Sequence, residues 1–529
     1  MLVSPYRKKF SSAFVERGLL QTELEKLNRI YYLQLLSTEK RISSKENKLI
    51  DNLVLNFDCA QRATKVYKWR WFLFAMITIS LTISSTQFLQ FCIISNVIEK
   101  FFDTTSDVIN LTSIFYMLIY FLLYIPITYY YCEKQSLHNV AIFGSIGLMI
   151  TSWLKYIGIF IQNFHLILIV QCFCAIFHIL LSSIPSRIAT TWFPIHEEYL
   201  MQAITIFATN LGLIVNFLSL IVINNLEDMI KLTRDLNNYM LLMAILSTLI
   251  AIVMGFAFKR NEPEIAPSYI EALRRDNIIQ RDNRNFFKSI KILFANKNFI
   301  LLFLGFGLNI GVFNAFSTIL NSIIVYYFPT GQLEAGTLCL ITSLLSIFGL
   351  FVFAFILARF KRFKSTSLWI LRIQSIAFIL FSLSLESKSF MIMCFSSILL
   401  GIFMVGFQLV GQELAVELTF DMLCEDISVG IINTFGFFCG IIITLGIKKL
   451  QEWFSILYGN LCFSLLITVG TIFMSLISSL ELKRQEVVDF IDSATGIELE
   501  HRKRERFESR QYSRLSSIRE AELESLNKS

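Results

Sequence analysis

Long apolar stretches alternate with shorter polar ones over most of the chain. The stretches near residues 71–98, 139–184 and 299–327 carry almost no charge. A helix that crosses a bilayer needs about 20 mainly apolar residues. Windows of that length predict twelve membrane helices, at residues 71–97, 110–131, 139–160, 164–184, 200–224, 239–258, 299–327, 337–358, 367–385, 389–412, 426–447 and 455–479. The pattern therefore predicts an all-α membrane protein.

A long, basic polar stretch separates the first six predicted helices from the last six. Two six-helix halves joined by a linker are the layout of the major facilitator fold, in which the halves are pseudo-repeats and substrate binds between them. Within the linker, NFFKSIKILF (285–294) has a basic face and is expected to lie on the membrane surface. We predict an N-terminal segment (1–68), a first half (69–258), a linker (259–298), a second half (299–480) and a charged tail (481–529).

Composition and charge agree with this layout. The chain is 55% hydrophobic and only 16% charged, whereas soluble domains are about a quarter charged. Lys and Arg collect in the N-terminal segment, in the linker and in ARFKRFK (358–364). The positive-inside rule places all three, and both termini, in the cytoplasm. The net charge of +7 therefore reflects topology and does not indicate a nucleic-acid partner. The plasma membrane is the expected location.

The sequence has no constellation that indicates catalysis. It contains no GxxxxGK[ST] phosphate loop and no nucleophile–base arrangement, and its ten Cys residues are scattered. We therefore expect a monomeric transporter of a small molecule, without catalytic residues, metal or cofactor, and not an enzyme. No predicted helix carries paired acidic residues at mid-depth, which favours facilitated over ion-driven transport.

Five short segments resemble the feline leukaemia virus subgroup C receptor (FLVCR) family of major facilitator proteins. They occur in the family's order: QFLQFCIISNVIEKFF (87–102), PSRIATTWF (185–193), STILNSIIVYY (317–327), ELAVELTF (413–420) and SVGIINTFG (428–436). The resemblance implies facilitative, alternating-access transport of a choline- or ethanolamine-like amine. Two alternatives stay open. One is a transporter of haem or another amphipathic metabolite. The other is a membrane receptor that keeps the fold without transport.

The resemblance also implies a substrate site, an aromatic cage with amides around it. Ring faces bind an ammonium group by cation–π attraction. The family's cage tryptophan, cage tyrosine and two glutamines correspond here to Phe88, Asn314, Asn210 and Phe437, respectively. All four positions differ from the family. Either the cage is rearranged, with Phe437 restoring the aromatic wall lost at Asn314, or the substrate has changed.

Polar residues inside the predicted helices add two candidates to this site. Thr82, Thr86 and Gln90 are spaced i, i+4, i+8, so Gln90 faces either a substrate cavity or a neighbouring helix that it holds by hydrogen bonding. His178 lies within the fourth predicted helix. It either contacts substrate or senses protons, or it is a neutral histidine bonded to a backbone carbonyl.

Charged residues near two helix ends indicate a gate. Glu413 and Glu417 lie four apart at the end of the tenth predicted helix, and Arg187 follows the fourth, which runs in the same direction. Such charges are costly alone at depth and favourable as a pair. We expect Arg187 to pair with Glu413 or Glu417 and to latch the cytoplasmic gate. The alternative partner is Glu133, in the loop between the second and third predicted helices.

Overall fold

The computed structural model of the protein describes residues 65–132, 136–194, 197–223, 228–257, 262–267, 286–328, 332–360, 362–387, 390–419 and 425–478. These residues form α-helices and one π-helical turn, Thr128–Cys132, and contain no strand. The helices are α1 (Trp69–Ile93), α2 (Ser95–Phe102), α3 (Ser106–Ile127), α4 (Leu137–Phe160), α5 (Phe164–Ser182), α6 (Ile184–Trp192), α7 (Glu198–Val222), α8 (Met229–Ala257), α9 (Phe286–Ala295), α10 (Lys297–Tyr327), α11 (Gln332–Phe360), α12 (Phe363–Glu386), α13 (Phe390–Thr419), α14 (Glu425–Trp453) and α15 (Ile456–Ser475).

Twelve of these segments are long and apolar enough to cross a membrane. They are α1, α3, α4, α5 with the start of α6, α7 and α8, followed by α10 to α15. The predicted number of spans is therefore confirmed, and the protein is a multi-pass membrane protein. The amphipathic linker segment forms helix α9, while its expected position on the membrane surface stays a prediction.

Two helices extend well beyond their predicted bounds. Helix α8 begins at Met229 rather than at the predicted residue 239. The prediction began too late because Lys231, Arg234 and Asp235 in the first turns lower the mean hydropathy of any window that includes them. Helix α13 continues to Thr419 rather than ending at residue 412. In both places the helix continues through charged residues that the apolar pattern alone does not include.

The same helix pairs pack together in each half. Helix α1 packs on α7, α3 on α5, α4 on α5 and α4 on α8. The corresponding second-half pairs are α10 with α14, α11 with α13, α12 with α13 and α12 with α15. Between the halves, α7 packs on α11 and α3 on α14. The halves are therefore structural repeats, and the major facilitator fold predicted from the sequence is confirmed.

The contact between α1 and α7 depends on a glycine. A Cβ atom at Gly212 would lie 2.7 Å from the backbone nitrogen of Thr86 and 2.8 Å from the carbonyl oxygen of Thr82. Both threonines also donate across the interface: Thr82 donates to the carbonyl oxygen of Ala208 (3.1 Å), and Thr86 donates to that of Gly212 (3.3 Å). Small residues that allow backbones to approach closely are typical of membrane helix interfaces.

The chain divides into two compact units. The described part of the smaller unit consists of residues 65–67, 191–194 and 262–267, in which the backbone nitrogen of Lys65 donates to the carbonyl oxygen of Ala266 (3.2 Å). The larger unit contains the other described residues, and the candidate functional site lies entirely within it.

Candidate functional site

A cavity of about 150 Å³ lies between the two six-helix halves of the larger unit. Helices α1, α3, α5, α6 and α7 supply its walls from the first half, and α10, α13 and α14 supply them from the second. The structure brings five of the six predicted substrate residues to these walls: Phe88, His178, Asn210, Asn314 and Phe437. Their role in binding stays a prediction.

Aromatic rings from both halves form one cluster at the cavity. The rings of Phe88 (α1) and Phe437 (α14) meet edge to face, with centroids 5.6 Å apart. Phe88 also stacks on Tyr116 at 4.7 Å, and Phe437 lies 4.3 Å from Tyr120. Tyr124 in turn stacks on Tyr120 at 5.5 Å. We call these five residues the ring cluster.

Sequence reasoning missed the three tyrosines of the ring cluster. Tyr116, Tyr120 and Tyr124 are spaced i, i+4, i+8 along α3, which puts them on one helix face. All three are buried, and Tyr120 and Tyr124 line the cavity. Their i, i+4, i+8 spacing is the same signal that groups Thr82, Thr86 and Gln90 on one face of α1.

His178 is buried at the edge of the ring cluster. Its Nδ1 atom lies 2.8 Å from the hydroxyl of Ser84 on α1. Its ring centroid lies 5.8 Å from that of Tyr116 and 5.9 Å from that of Tyr120. The partner of this nitrogen is therefore a side-chain hydroxyl and not the backbone carbonyl of the alternative prediction.

Residues that line the cavity include two with a side-chain polar atom that has no hydrogen-bond partner among the described residues. These atoms are the amide nitrogen Nδ2 of Asn314 and the hydroxyl of Ser85, both of which are buried. Asn210 donates to the carbonyl oxygen of Ile206 on its own helix (2.8 Å). A buried polar atom without a partner costs free energy, and these two atoms incur that cost in this state.

Gln90 does not line the cavity, and its predicted contact with substrate stays a prediction. Its Nε2 atom donates to the sulfur of Met240 on α8 (3.3 Å), and its side chain is buried there. Thr82 and Thr86 lie on the same face of α1 as Gln90 and bond to backbone carbonyls of α7. This face of α1 therefore joins helices within the first half, as the alternative interpretation stated.

A buried polar network lies directly behind Phe88. Gln171 of α5 donates through Nε2 to the carbonyl oxygens of Gln87 (2.9 Å) and Phe88 (3.1 Å). The ammonium of Lys155, on α4, donates to the same Gln87 oxygen (3.1 Å). The Gln87 side chain donates to the hydroxyl of Ser152 (2.6 Å). These contacts fix the backbone from which Phe88 projects into the ring cluster.

Polar contacts between the halves lie at both ends of the cavity. We call the end where α8 finishes and α10 begins the linker end, and the opposite end the distal end. Near the linker end, Gln202 of α7 donates to Gln412 of α13 (2.5 Å), which donates to Asn433 of α14 (3.3 Å). All three amides line the cavity.

Several contacts between the halves close the distal end. Asn321 of α10 donates to Ser95 (3.0 Å) and Asn96 (3.3 Å). The other contacts join Ser106 to Ser322 (3.1 Å), Ser113 to Thr318 (3.1 Å) and Asp107 to Lys448 in an ion pair. The cavity therefore lies between two layers of polar contacts.

Three of the four predicted gate residues lie near the linker end. Arg187 is half-buried on α6, and Glu413 and Glu417 are each 3% exposed in the last turns of α13. Glu133 lies outside the described residues. The latch stays a prediction. Among the described residues, no group of three or more His, Cys, Asp or Glu side chains could hold a metal ion.

Comparisons with known proteins agree with the fold. The family model of the Major Facilitator Superfamily matches residues 71–444. The outward-facing structure of FucP has a TM-score of 0.58 at 14% identity, with 78% of this chain and 100% of FucP covered. A bacterial homologue of the human lysosomal transporter Spinster, in an inward-facing state, has a TM-score of 0.58 at 13% identity, covering 78% of this chain and 98% of its own.

Two relatives confirm the resemblance to the FLVCR family. Over 425 residues the chain is 28% identical to the choline/ethanolamine transporter flvcr2a of Danio rerio. The alignment covers 80% of this chain and 89% of that protein. Over 423 residues it is 27% identical to the choline/ethanolamine transporter FLVCR2 of Homo sapiens, with 80% and 79% covered. With twelve spans in two repeated halves and a family match over most of its length, the chain belongs to the major facilitator superfamily of membrane transporters.

Proposed function

We propose that the protein carries a choline- or ethanolamine-like amine across a membrane by facilitated, alternating-access transport. The contact between Phe88 and Phe437 carries this proposal, because it brings aromatic rings from opposite halves together at the central cavity. A cation within about 6 Å of a ring centroid is attracted by the ring quadrupole. The relatives that are named choline/ethanolamine transporters support the same substrate class.

The chemistry of the cavity walls also favours a small ammonium compound. No charged side chain is among the described residues that line the cavity. An ammonium group there is held by rings and amide oxygens instead of a carboxylate. A quaternary ammonium, which donates no hydrogen bonds, leaves none unsatisfied in such a site. The amides of Gln202, Gln412 and Asn433 line the same cavity, which supports a bond to a hydroxyl group of the substrate.

The contacts at the two ends supply what alternating access requires. The two halves must separate at one end while they stay together at the other. Breaking the distal contacts, such as Asn321 to Ser95, would open the cavity on that side. Breaking the bond between Gln202 and Gln412 would help to open the linker side. The predicted latch of Arg187 with Glu413 or Glu417 belongs to this second set.

The remaining features of the proposal concern the cellular setting. We propose a monomer in the plasma membrane with both termini in the cytoplasm, without enzymatic activity, cofactor or nucleic-acid partner. The basic residues of the N-terminal segment, the linker and residues 358–364 support this orientation through the positive-inside rule. The five regions defined from the sequence describe the chain in this arrangement.

Uptake of labelled choline and ethanolamine into cells that lack their own choline transporters tests the proposal. Saturable uptake is expected with the intact protein, and Phe88→Ala is expected to reduce its apparent affinity. Surface labelling must show equal amounts of both proteins. If the intact protein reaches the surface and takes up neither compound, the proposed substrate class is wrong.

A further inference from the structure

A second cavity, of about 60 Å³, adjoins the central one. It lies among α7, α10, α11, α12 and α13. The two cavities have Asn210, Leu213 and Phe313 as common walls. A ligand in the ring cluster therefore has a neighbouring space within the same bundle, next to the half-buried Phe313.

The walls of the second cavity are mainly apolar, with Phe316, Leu338, Phe381, Leu400, Met404 and Val405 among them. Two of the hydroxyls that also line it are satisfied within their own helix. Thr342 donates to the carbonyl oxygen of Leu338 (2.9 Å), and Ser346 donates to that of Ser343 (2.7 Å). Hydroxyls bonded in this way present little polarity to a ligand.

One hydroxyl differs from these. The side chain of Ser397 is 4% exposed, and its oxygen has no hydrogen-bond partner among the described residues. No charged side chain is among the described residues that line this cavity. Because its walls are mainly apolar and carry no charge among the described residues, the second cavity is suited to a short hydrocarbon chain.

We infer that the second cavity binds an alkyl substituent on the ammonium nitrogen of a ligand held in the ring cluster. This inference rests on the proposed function, and it extends the ligand class from choline-like amines to those with a short alkyl chain. Burial of each methylene group in an apolar site favours binding by about fourfold. The gain ends when the chain outgrows the cavity, so a macrocycle or a long lipid chain is excluded from this space.

The affinity of purified protein in lipid nanodiscs tests the inference. The ligands are choline and its analogues in which one N-methyl is replaced by ethyl, butyl or hexyl. Dissociation constants come from the rise in melting temperature with ligand concentration. The intact protein is expected to bind more tightly by about fourfold for each methylene group that the cavity accommodates.

Two substitutions at Ser397 distinguish binding of the alkyl chain in the second cavity from effects of mutating this position in general. Ser397→Leu fills the space without removing a hydrogen bond to a described residue, and it is expected to abolish the dependence on chain length. Ser397→Ala leaves the space open and is expected to keep that dependence. The melting temperature without ligand reports whether either variant is misfolded.

A third variant keeps the test decisive if Ser397→Leu does not fold. Leu400→Ala enlarges the cavity and is expected to shift the best ligand towards a longer chain. An intact protein that binds choline but gains nothing from longer chains would overturn the inference and leave the proposed function intact. An intact protein that binds neither choline nor its analogues would overturn both.

Discussion

Lys448 near the end of α14 forms an ion pair with Asp107 in the first turn of α3, and the pair joins the two halves at the distal end. The Lys448 side chain is 17% exposed and that of Asp107 is 69% exposed. Solvent therefore screens the pair, and its contribution is at most about 1 kcal/mol. Its loss is expected to change the balance between open and closed distal states only modestly.

The first prediction concerns this ion pair. Asp107→Asn is expected to increase opening at the distal end by up to about fivefold, because one of the contacts that closes it is lost. Ser113→Cys reports this opening, since Ser113 is fully buried against Thr318 in the same layer. The measurement is the rate at which an impermeant thiol reagent labels that cysteine, compared with protein that retains Ser113.

A charge exchange supplies the control. Asp107→Lys combined with Lys448→Asp restores an ion pair and is expected to return labelling of the Ser113→Cys protein towards its original rate. Equal labelling with and without Asp107→Asn would show that the ion pair does not hold the distal end closed.

The second prediction compares two adjacent phenylalanines of α14. Phe437 lies in the ring cluster, whereas Phe438 stacks on Phe121, with centroids 4.7 Å apart, and does not line the cavity. A desolvated cation–π contact contributes about 1–2 kcal/mol. Phe437→Ala is therefore expected to raise the KM for choline uptake by about fivefold to thirtyfold, and Phe438→Ala to leave it nearly unchanged. Similar KM values for the two variants would contradict a substrate contact by Phe437.

The number of spans could be predicted from the sequence because each needs enough apolar residues to cross a bilayer. Periodicity also showed that Thr82, Thr86 and Gln90 share a face of α1. It did not show what that face meets, because helical spacing is independent of the neighbour. The close approach of the backbones at Gly212 decides what this face contacts, because it brings α7 against Thr82 and Thr86. This is why the spacing alone leaves both interpretations of Gln90 open.

The resemblance to a family contributed what periodicity could not. It placed Phe88 and Phe437 at one site although they are distant in sequence, and their rings do meet. It did not indicate Tyr116 or Tyr120, although their spacing was available. The extension of α13 through Glu413 could not be predicted from hydropathy, because burial between helices depends on tertiary packing.

The third prediction concerns Gln171, which we expect to position Phe88 without touching substrate. Gln171→Leu removes the bonds to the carbonyl oxygens of Gln87 and Phe88. Net hydrogen-bond contributions of about 1 kcal/mol each lead us to expect a rise in KM of about fivefold to thirtyfold. The measurement is KM for choline uptake beside the melting temperature of the purified protein.

A buried glutamine in the second half is the matched control for Gln171→Leu. Gln374 accepts a hydrogen bond from Asn309 (2.9 Å), and neither residue lines the central cavity. Gln374→Leu is expected to lower the melting temperature while KM stays the same. If Gln171→Leu also changes only the melting temperature, its role is structural and not one of positioning Phe88.

The fourth prediction uses two helical glycines with different surroundings. A Cβ atom at Gly212 would press against the backbone of α1, whereas one at Gly255 would meet nothing within 4 Å. Overpacking typically costs about 1–3 kcal/mol. Gly212→Ala is expected to lower the melting temperature by several degrees, and Gly255→Ala to preserve or raise it, because alanine favours helix. A Gly212→Ala protein as stable as the original would mean that α1 and α7 can separate without cost.

The last prediction concerns the latch at the linker end. Glu413 and Glu417 are both buried, and a buried carboxylate is strongly destabilising without a partner. If Arg187 closes the linker end by pairing with Glu417, Arg187→Ala and Glu417→Gln should each increase thiol labelling of Ser186→Cys, a cavity position beside Arg187. If Glu413→Gln increases this labelling more than Glu417→Gln does, Glu413 is the partner of Arg187. If Glu133→Gln alone reproduces the effect of Arg187→Ala, the arginine pairs within the first half and does not latch the two halves together.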